Sequence, residues 1–452
     1  MNLLFVTQAL PYLPAQDGFR LYAANLLREF ARRHRVDLIS LLQEDDAQHM
    51  DWCQEHCASI STFSAGETSA LFKPFQFAAT YGLGRPLHPR RKVVQAIRRG
   101  FAERRWDVMH VEGGYVAGLI PDGLPIPRIL SLHDSWKVRC EQMSQCSPSR
   151  RERSYYRILS RVEPRYERFV YPRFDRCVVV AEADARAVRE TVPGSNVAVI
   201  SNGIDTDYFR PMPAKAPNSV LTFHGNLSYA PNVEAAVNFA EQVLPLIRAQ
   251  SPVVNFHLVG ARPAEAIAQL ARRPGITLSA DLPDLREAVG SARVYVCPIQ
   301  HGSGVKNKLL EAMAMGLPIV CYPESAAGID CVPGKHLLIA RNAEMFANAV
   351  QWLLHNPGRC VEMARAALAL VQQKYSWESR SRAFEDIYLQ VLIERSASFD
   401  AHRRQRRDDW PLKRETTVAQ NAGSGPGIIQ KHRSSEGSIP PASNSPCGGF
   451  IQ

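Results

Sequence analysis

The chain has 452 residues, 45% of them hydrophobic, a length and composition that fit two to three globular domains with a large core. Its formal net charge of +10 suits a polyanionic partner or an anionic membrane surface, but such a basic excess is also common without either. No apolar run approaches the roughly 20 residues of a membrane-spanning helix, so we expect none. The ten cysteines are scattered and complete no zinc pattern, which indicates reduced, cytoplasmic usage and predicts no metal site.

The first half of the chain alternates strands and helices. Residues 2–7 are continuously apolar, as in a strand buried on both faces of a parallel sheet. A helical pattern begins at residue 19, and the apolar run 36–42 predicts the next strand, so the order is βαβ from the start. The pattern then continues with strands predicted at 59–63, 108–112, 128–133 and 175–180 and helices at 90–104 and from 182.

The alternation is interrupted once and begins again. Asn202-Gly203 is a turn signal, and the prolines between 211 and 217 are typical of a linker. Strands are predicted beyond it at 220–224, 254–260, 276–279, 294–297 and 318–322. We therefore predict two successive doubly wound α/β units. The predicted boundaries are 1–198 and 199–376 for the two units, 377–395 for a helix that returns to the first unit, and 396–452 for a disordered tail rich in Gly, Pro and Ser.

A loop of small residues, 301–304, joins a strand to a helix in the second unit. The free N–H groups and the positive dipole at such a helix start favour an anion, most simply a phosphate. Lys306 and Lys308 add positive charge, and Glu311 lies one turn further along. Its two acceptor oxygens suit vicinal hydroxyl groups such as those of a ribose. The alternative is an ordinary glycine turn that opens an amphipathic helix.

Further candidates follow the ends of predicted strands. Ligands of open α/β sheets bind outside the carboxyl ends of the strands, so two facing units are expected to share one cleft. Asp17 and Glu112 are candidates for contact with an acceptor, and His133 either faces the cleft or simply caps its strand. The strand-end positions are Asp17-Gly18, Glu112, His133-Asp134, Asn202-Gly203, Gly225-Asn226 and Gly260-Ala261.

Several of these stretches carry a family resemblance. VISNGIDTDYF, FHGNLSYAPNVEAAVNF, HLVGA, DLPDLREAVGSARVYVCPI and GSGVKNKLLEAMAMGLPIV resemble the retaining glycosyltransferases of family 4, which have the GT-B fold of two Rossmann-like domains facing across a cleft. LPYLPAQDGFRLYAANLLREFARRHRVDLISL resembles the N-terminal domain of that family. The resemblance runs from about residue 1 to 393. Within the family, the chain resembles the branch associated with exopolysaccharide or exosortase-linked sugar transfer.

The resemblance implies a nucleotide-sugar donor held mainly by the second unit. Glu311 matches the glutamate expected on the donor ribose, but the family's first glutamate falls on Ser303, so backbone groups of this loop would replace a carboxylate contact to the sugar. Asn226 stands in the region of the family's basic diphosphate clamp, so Lys308 would supply that charge. The implied donor-binding residues are Gly18, Gly225, Asn226, Gly302, Ser303, Gly304, Val305, Lys308 and Glu311.

The resemblance also implies a catalytic role for His133, which matches the family's active-site histidine. Retention in the family is attributed to front-face attack, which requires no protein nucleophile, so we name no catalytic base. No metal and no cofactor are expected beyond the nucleotide-sugar co-substrate. The acceptor is expected to be a saccharide or a lipid-linked saccharide in exopolysaccharide or cell-surface glycan synthesis, and no nucleic acid is expected as a partner.

Two basic amphipathic regions leave the membrane question open. Residues 90–105 and 150–173 place arginines opposite an apolar stripe, which fits either an interfacial helix or a helix packed on its own sheet. We expect a cytoplasmic protein, with peripheral contact at the inner face of an anionic membrane as an open alternative. Two other functions also stay open: a nucleotide-sugar epimerase or hydrolase of the same fold, and a non-catalytic nucleotide-binding protein.

Overall fold

A computed structural model describes residues 1–15, 17–43, 46–64, 77, 79–82, 84, 90–103, 106–147, 149–212, 219–301 and 305–408, with side chains described as far as 397. Met1–Phe399 form one compact unit, and a second unit begins at Asp400. Both parallel sheets belong to the first unit.

The first sheet has seven parallel strands in the order β3-β2-β1-β4-β5-β6-β7. These strands are β1 (Asn2–Thr7), β2 (Arg35–Leu42), β3 (Ser59–Ser64), β4 (Val108–Glu112), β5 (Arg128–Ser131), β6 (Arg176–Val179) and β7 (Val197–Val199). The helices between and after them are α1 (Gly18–Ala31), α2 (Met50–His56), α3 (Arg90–Glu103), α4 (Gly114–Ala117), α5 (Trp136–Cys146), α6 (Arg150–Val170) and α7 (Glu182–Thr191). Short 3₁₀ turns lie at Asp46–His49 and Tyr171–Arg173.

The second sheet has six parallel strands in the order β10-β9-β8-β11-β12-β13. They are β8 (Val220–His224), β9 (Asn255–Gly260), β10 (Ile276–Ala280), β11 (Val294–Cys297), β12 (Ile319–Cys321) and β13 (Leu338–Ile339). The helices of this half are α8 (Ala230–Asn238), α9 (Leu244–Gln250), α10 (Glu265–Leu270), α11 (Arg286–Gly290), α12 (Asn307–Ala314), α13 (Pro323–Ala326), α14 (Ala343–His355) and α15 (Pro357–Lys374). The prediction of two doubly wound parallel sheets is confirmed.

β1 is buried because it lies in the middle of the first sheet. Every residue from Leu3 to Thr7 is buried, because β2 and β4 flank the strand and helices cover both faces of the sheet. α1 begins where the sequence offers an N-cap: a carboxylate oxygen of Asp17 accepts the Arg20 N–H at 2.9 Å. This start sets the first turn of α1 at the carboxyl edge of the sheet.

The helix predicted after β8 is interrupted. A π-helical turn at Phe239–Val243 separates α8 from α9. Pro245 lies in the first turn of α9 and has no N–H to donate, so the regular hydrogen-bond ladder cannot pass through it. α5 was not predicted, since its apolar residues do not form a clear stripe.

The C-terminal helix, α16 (Trp377–Asp408), is longer than predicted. Its Trp377, Phe384 and Tyr388 pack into the core of the first sheet with Phe5 and Phe30. Ion pairs between Arg395 and Asp175 and between Arg176 and Glu394 hold its middle against β6. Residues 396–408, predicted as the start of a disordered tail, are therefore a continuation of this helix, and residues 409–452 lie outside the described part. None of the described helices is both long and apolar enough to cross a membrane.

Candidate functional site

Glu112 and His133 meet at the carboxyl ends of two neighbouring strands, β4 and β5. His133 Nε2 lies 2.6 Å from one Glu112 carboxylate oxygen, and His110 Nε2 lies 2.9 Å from the other. The Glu112 side chain is 0% exposed, whereas that of His133 is 18% exposed and lines a cleft between the two halves. The histidine is therefore the member of this pair that a ligand can reach.

The two histidines keep Glu112 ionised. Burial acts to raise the pKa of Glu112, but attraction to His133 and hydrogen bonds from both histidines outweigh it and hold this pKa below its usual range. We predicted Glu112 as an acceptor-side group. That prediction is corrected here, because the carboxylate is buried and both of its oxygens bond histidines, so it supports His133 from below the cleft.

The His133 ring is fixed from several sides. Phe19 stacks on it with ring centroids 5.0 Å apart, and Tyr22 approaches at 4.2 Å. The backbone of His133 is in the left-handed region, with φ 63°, which is uncommon for a residue with a side chain. Such conformations cost of order 1–3 kcal/mol and persist where the surroundings hold them, as they often do at functional sites.

Asp17 and Gly18 lie on the same cleft at the start of α1. The Asp17 carboxylate already caps the helix and pairs with the Arg20 guanidinium. A Cβ added to Gly18 would meet no described protein atom within 4 Å, so this glycine does not relieve a clash within the protein. It leaves open space beside the first N–H groups of the helix. The donor-side role of Gly18 and the acceptor-side role of Asp17 stay predictions.

Two glycines shape a second cavity of about 480 Å³ at the carboxyl edge of the second sheet. Gly225, with φ 151°, follows β8, and a Cβ there would lie 2.7 Å from Lys308 Nζ. Gly260, with φ 155°, ends β9, and a Cβ there would lie 1.8 Å from the Gly225 carbonyl oxygen. A side chain at Gly225 would block the space that the Lys308 ammonium occupies, and one at Gly260 would clash with the Gly225 backbone that forms the turn.

Lys308 brings a cation to this cavity. Its ammonium donates a hydrogen bond to Asn232 Oδ1 and lies 4.8 Å from the centre of the Phe223 ring. Burial lowers the pKa of Lys308, which means that the charged form has lost part of its hydration. Lys306 also lines the cavity, and burial lowers its pKa too. An anion in the cavity would compensate both charges.

Glu311 lies on α12 and borders both cavities. One of its carboxylate oxygens lies 2.6 Å from His224 Nε2. The His224 side chain is 2% exposed and that of Glu311 is 20% exposed, so the carboxylate is the member of this pair that faces the cavity. His224 limits the directions in which that carboxylate can point.

Asn226 and the glycine loop complete the list of predicted donor contacts. The Asn226 side-chain oxygen accepts from the N–H and the hydroxyl of Ser228, so it stabilises the turn after β8 while the residue borders the smaller cavity. Val305 borders both cavities. Gly302, Ser303 and Gly304 lie outside the described residues.

The two cavities adjoin. The larger one has a volume of about 1540 Å³ and is lined from both halves of the chain. Across it, Asn202 Nδ2 donates to Asn307 Oδ1 at 3.2 Å. His133 and Glu311 border the same larger cavity, and Lys308 lies in the smaller one. The residues common to both linings are Leu285, Val305, Asn307 and Glu311.

Sequence reasoning missed three supporting residues, His110, His224 and Asn232. A signal existed for two of them: His110 stands two residues before Glu112 on a strand and so shares its face, and His224 immediately precedes the Gly225 turn. Asn232 gave no such signal, since its contact with Lys308 joins residues 76 positions apart.

Two family models match the chain, one on each half. The model described as Glycosyltransferase Family 4 matches residues 17–208, and the model described as Glycosyl transferases group 1 matches residues 218–356. The first range contains His133 and the second contains Lys308 and Glu311.

Curated relatives match over shorter stretches. A GDP-mannose:cellobiosyl-diphosphopolyprenol alpha-mannosyltransferase of Xanthomonas oryzae is 23% identical over 226 residues, which are 48% of this chain and 59% of that protein. An uncharacterized 44.6 kDa protein of the cps region of Klebsiella pneumoniae is 22% identical over 166 residues, which are 35% of this chain and 43% of that protein. The chain thus spans about half the length of the curated relatives it matches.

Solved structures match over nearly the whole described chain. Sucrose-phosphate synthase from Thermosynechococcus elongatus, at 16% identity, superposes with a TM-score of 0.59 over 87% of this chain and 100% of that one. HepE of Anabaena in complex with UDP, at 15% identity, superposes with a TM-score of 0.56 over 86% of this chain and 99% of that one. Likeness at these identities concerns the fold, which is the predicted GT-B fold. With a family match on each of its two α/β halves, the chain belongs to the group 1, family 4 glycosyltransferases.

Proposed function

We propose that the protein transfers a sugar from a nucleotide-sugar donor to a saccharide or lipid-linked acceptor, with retention of anomeric configuration and without a metal ion. One observation carries the proposal: a small cavity with the chemistry of an anion site opens into a large cleft lined by both halves. A diphosphate in the small cavity would place its attached sugar in the cleft that His133 lines. The relatives' names support the reaction class.

The proposed binding of the donor depends on the positive charge in the smaller cavity. When a nucleoside diphosphate leaves, negative charge develops on its oxygens, and fixed cations and backbone dipoles must stabilise it if no metal does. Lys308, already held by Asn232 against Phe223, would supply one such cation without reorganisation. Glu311, held by His224, would accept the hydroxyls of the ribose.

The acceptor side rests on the shape and lining of the larger cavity. Its N-terminal part is lined by residues of α5 and α6 among others, and several side chains there are aromatic or apolar. They are Tyr81, Trp136, Tyr155, Leu159, Tyr166 and Tyr171. Such a lining favours an acceptor that carries an apolar part, in keeping with the diphosphopolyprenol in the name of the Xanthomonas relative. This supports a role in exopolysaccharide or cell-surface glycan synthesis.

The test is a thermal-shift screen of nucleoside diphosphates and their sugars on the full chain, with UDP and GDP forms first. A ligand at about 100 times its Kd adds about 2.7 kcal/mol of stability. We expect the nucleotides of one base to raise the melting temperature of the parent protein. The same nucleotides should raise the melting temperature of Lys308→Met much less. Lys335→Met, which removes a lysine that lines neither cavity, is the matched control.

Turnover then separates the remaining functions. With the selected donor, transfer should require an acceptor and give a product of retained configuration, also in the presence of a chelator. Donor consumption without acceptor would indicate an epimerase or hydrolase instead. Binding with no turnover across a panel of saccharide and polyprenyl-diphosphate acceptors would indicate a non-catalytic nucleotide-binding protein.

A further inference from the structure

A continuous chain of hydrogen bonds connects the cleft to the C-terminal helix. From the cleft inward it runs from His133 Nε2 to Glu112 (2.6 Å), from Glu112 to His110 Nε2 (2.9 Å), and from His110 Nδ1 to the Tyr388 hydroxyl (2.6 Å). Glu112, His110 and Tyr388 are fully buried. Tyr388 lies on α16, 278 residues from its partner on β4. The chain therefore reaches the reacting sugar only through His133.

The protons along this chain can be assigned from its two ends. Burial raises the pKa of Tyr388 well above its ordinary value, so the phenol stays protonated. Its hydroxyl therefore donates the hydrogen bond to His110 Nδ1. His110 Nδ1 then accepts, and its Nε2–H donates to Glu112. An ionised carboxylate can only accept, so the hydrogen bond at 2.6 Å requires a proton on His133 Nε2 as well.

We propose that Tyr388, His110 and Glu112 are positioning residues that fix His133 as the Nε2–H form, so that Nδ1 is the atom that exchanges a proton or hydrogen bond with the substrate. The proposal rests on the proposed function for the identity of that substrate. A neutral Nδ1 would accept a hydrogen bond from a sugar hydroxyl. A protonated Nδ1 would instead donate a hydrogen bond to an oxygen of the leaving phosphate.

The groups packed around His133 agree with this assignment. Phe19 and Tyr22 of α1 cover the ring, and burial holds the Tyr22 phenol neutral by raising its pKa well above the ordinary value. Arg380 of α16 faces Tyr22, and Asp134 follows His133 but pairs with Arg139. Among the described groups, Glu112 is the one whose charge bonds the His133 ring directly.

α16 therefore helps to hold His110, Glu112 and His133 in place in the first half. The helix places Tyr388 under His110, and its ion pairs with Arg176 and Asp175 set its position along β6. A change at Tyr388 should thus alter the hydrogen bonding of His110 and, through Glu112, that of His133, although Tyr388 does not line the cleft.

The test is ¹⁵N NMR of histidine-labelled full-length protein across a pH series, without any substrate. Long-range ¹H–¹⁵N spectra should show the parent His133 with its proton on Nε2 in the neutral state. In Glu112→Gln, which keeps the shape, one of the two acceptor oxygens becomes an N–H donor, so one of the two histidines that bond it should change tautomer. A parent His133 with its proton on Nδ1, or unchanged tautomers of both histidines in Glu112→Gln, would overturn the proposal.

Tyr388→Phe tests the far end of the chain and also serves if Glu112→Gln does not fold. Loss of the phenol leaves His110 Nδ1 without its donor, so the ¹⁵N resonance of that nitrogen should move, and the ring resonances of His133 should move by less than in Glu112→Gln. Unmoved resonances of both histidines would remove Tyr388 from this chain of hydrogen bonds. Glu378→Gln is the matched control, since it removes an exposed carboxylate of the same helix that pairs with Arg382 instead.

Turnover provides the second readout. In Glu112→Gln and Tyr388→Phe, kcat for the selected donor should fall while KM for the donor changes little, and the loss should be smaller in Tyr388→Phe. If the NMR results are as expected but no transfer occurs with any acceptor, the assignment of the His133 proton stands and the proposed function fails. If transfer occurs and the tautomers are unchanged in Glu112→Gln, the proposed function stands and the assignment of the His133 proton fails.

Discussion

The two halves of the protein each place a histidine–carboxylate pair at the cleft, with the roles exchanged. In the first half, His133 is the exposed member and Glu112 is fully buried. In the second half, Glu311 is the exposed member and His224 is buried. Both pairs are joined at 2.6 Å. The same two residue types at the same distance thus offer opposite chemistry to a ligand, because burial decides which member it meets.

The buried members also differ in what lies behind them. Glu112 continues to His110 and Tyr388, so both Glu112 oxygens and both ring nitrogens of His110 are bonded. His224 continues to no described protein group, since its Nδ1 is buried without a partner there. We infer that His133 is held more firmly than Glu311. A firm proton-exchanging group suits the reacting sugar, and a less constrained carboxylate suits a ribose that arrives and departs with the donor.

The largest expected effect concerns stability after removal of each carboxylate. Glu112→Ala leaves two histidines without their acceptor in a fully buried place and should lower the free energy of unfolding by about 3 kcal/mol. Glu311→Ala leaves one buried histidine, His224, without its acceptor but removes a partly exposed carboxylate that water can replace, so it should cost less, about 1 kcal/mol. Denaturant unfolding of the two variants beside the parent protein measures both. Equal losses would show that the two pairs do not differ in the way their burial indicates.

Nucleotide affinity should show the reverse order. Glu311→Gln keeps the shape but loses a charged acceptor for the ribose, so binding of the selected nucleoside diphosphate should weaken by roughly 10-fold, or about 1.4 kcal/mol. Glu112→Gln should leave this affinity near the parental value, because its carboxylate does not line the smaller cavity. Isothermal titration calorimetry of both variants beside the parent protein measures these affinities. Unchanged binding in Glu311→Gln would remove the ribose assignment.

The pattern of this comparison was only partly readable from the sequence. The alternation of apolar runs predicted both sheets. The position of His133 at a strand end, and of Glu311 one turn into the helix that follows a strand and a loop of small residues, predicted that each would border a cleft. These are local signals, since a strand end and the turn after it are contiguous in the chain.

The buried partners were not predicted because they depend on packing between distant segments. His224 meets Glu311 across 87 positions, and His110 meets Tyr388 across 278. Glu112 was placed on the acceptor side for the same reason: its position at a strand end was visible, but the histidines that take up both of its oxygens were not. Asn226 is a similar case. Its position in the turn after β8 was visible in the sequence, but the hydrogen bonds from Ser228 to its side-chain oxygen were not.

A third carboxyl group extends the comparison, because it is buried without a histidine. Glu163 on α6 is 4% exposed and borders the N-terminal part of the larger cavity. Burial, and then the nearby Glu167, raise the pKa of Glu163 to about 8, although a hydrogen bond with Tyr81 acts against this. The pKa values of Glu112 and Glu163 are thus shifted in opposite directions although both carboxyl groups are buried, since the two histidines outweigh burial at Glu112 and the single hydrogen bond with Tyr81 does not at Glu163.

Per pH unit, the effect of this third group on stability is the smallest of those predicted here. Between about pH 4.5 and 8 the unfolded chain has released the Glu163 proton that the folded protein retains, so stability falls as the pH rises through this window. Glu163→Gln cannot titrate, and its free energy of unfolding should fall less steeply over pH 5 to 8, by about 1 kcal/mol per pH unit. Denaturant unfolding at each pH measures the slope, with Glu141→Gln on the exposed face of α5 as the control. A parental slope in Glu163→Gln would mean that this carboxyl is ionised in the folded protein, and that burial alone does not separate it from Glu112.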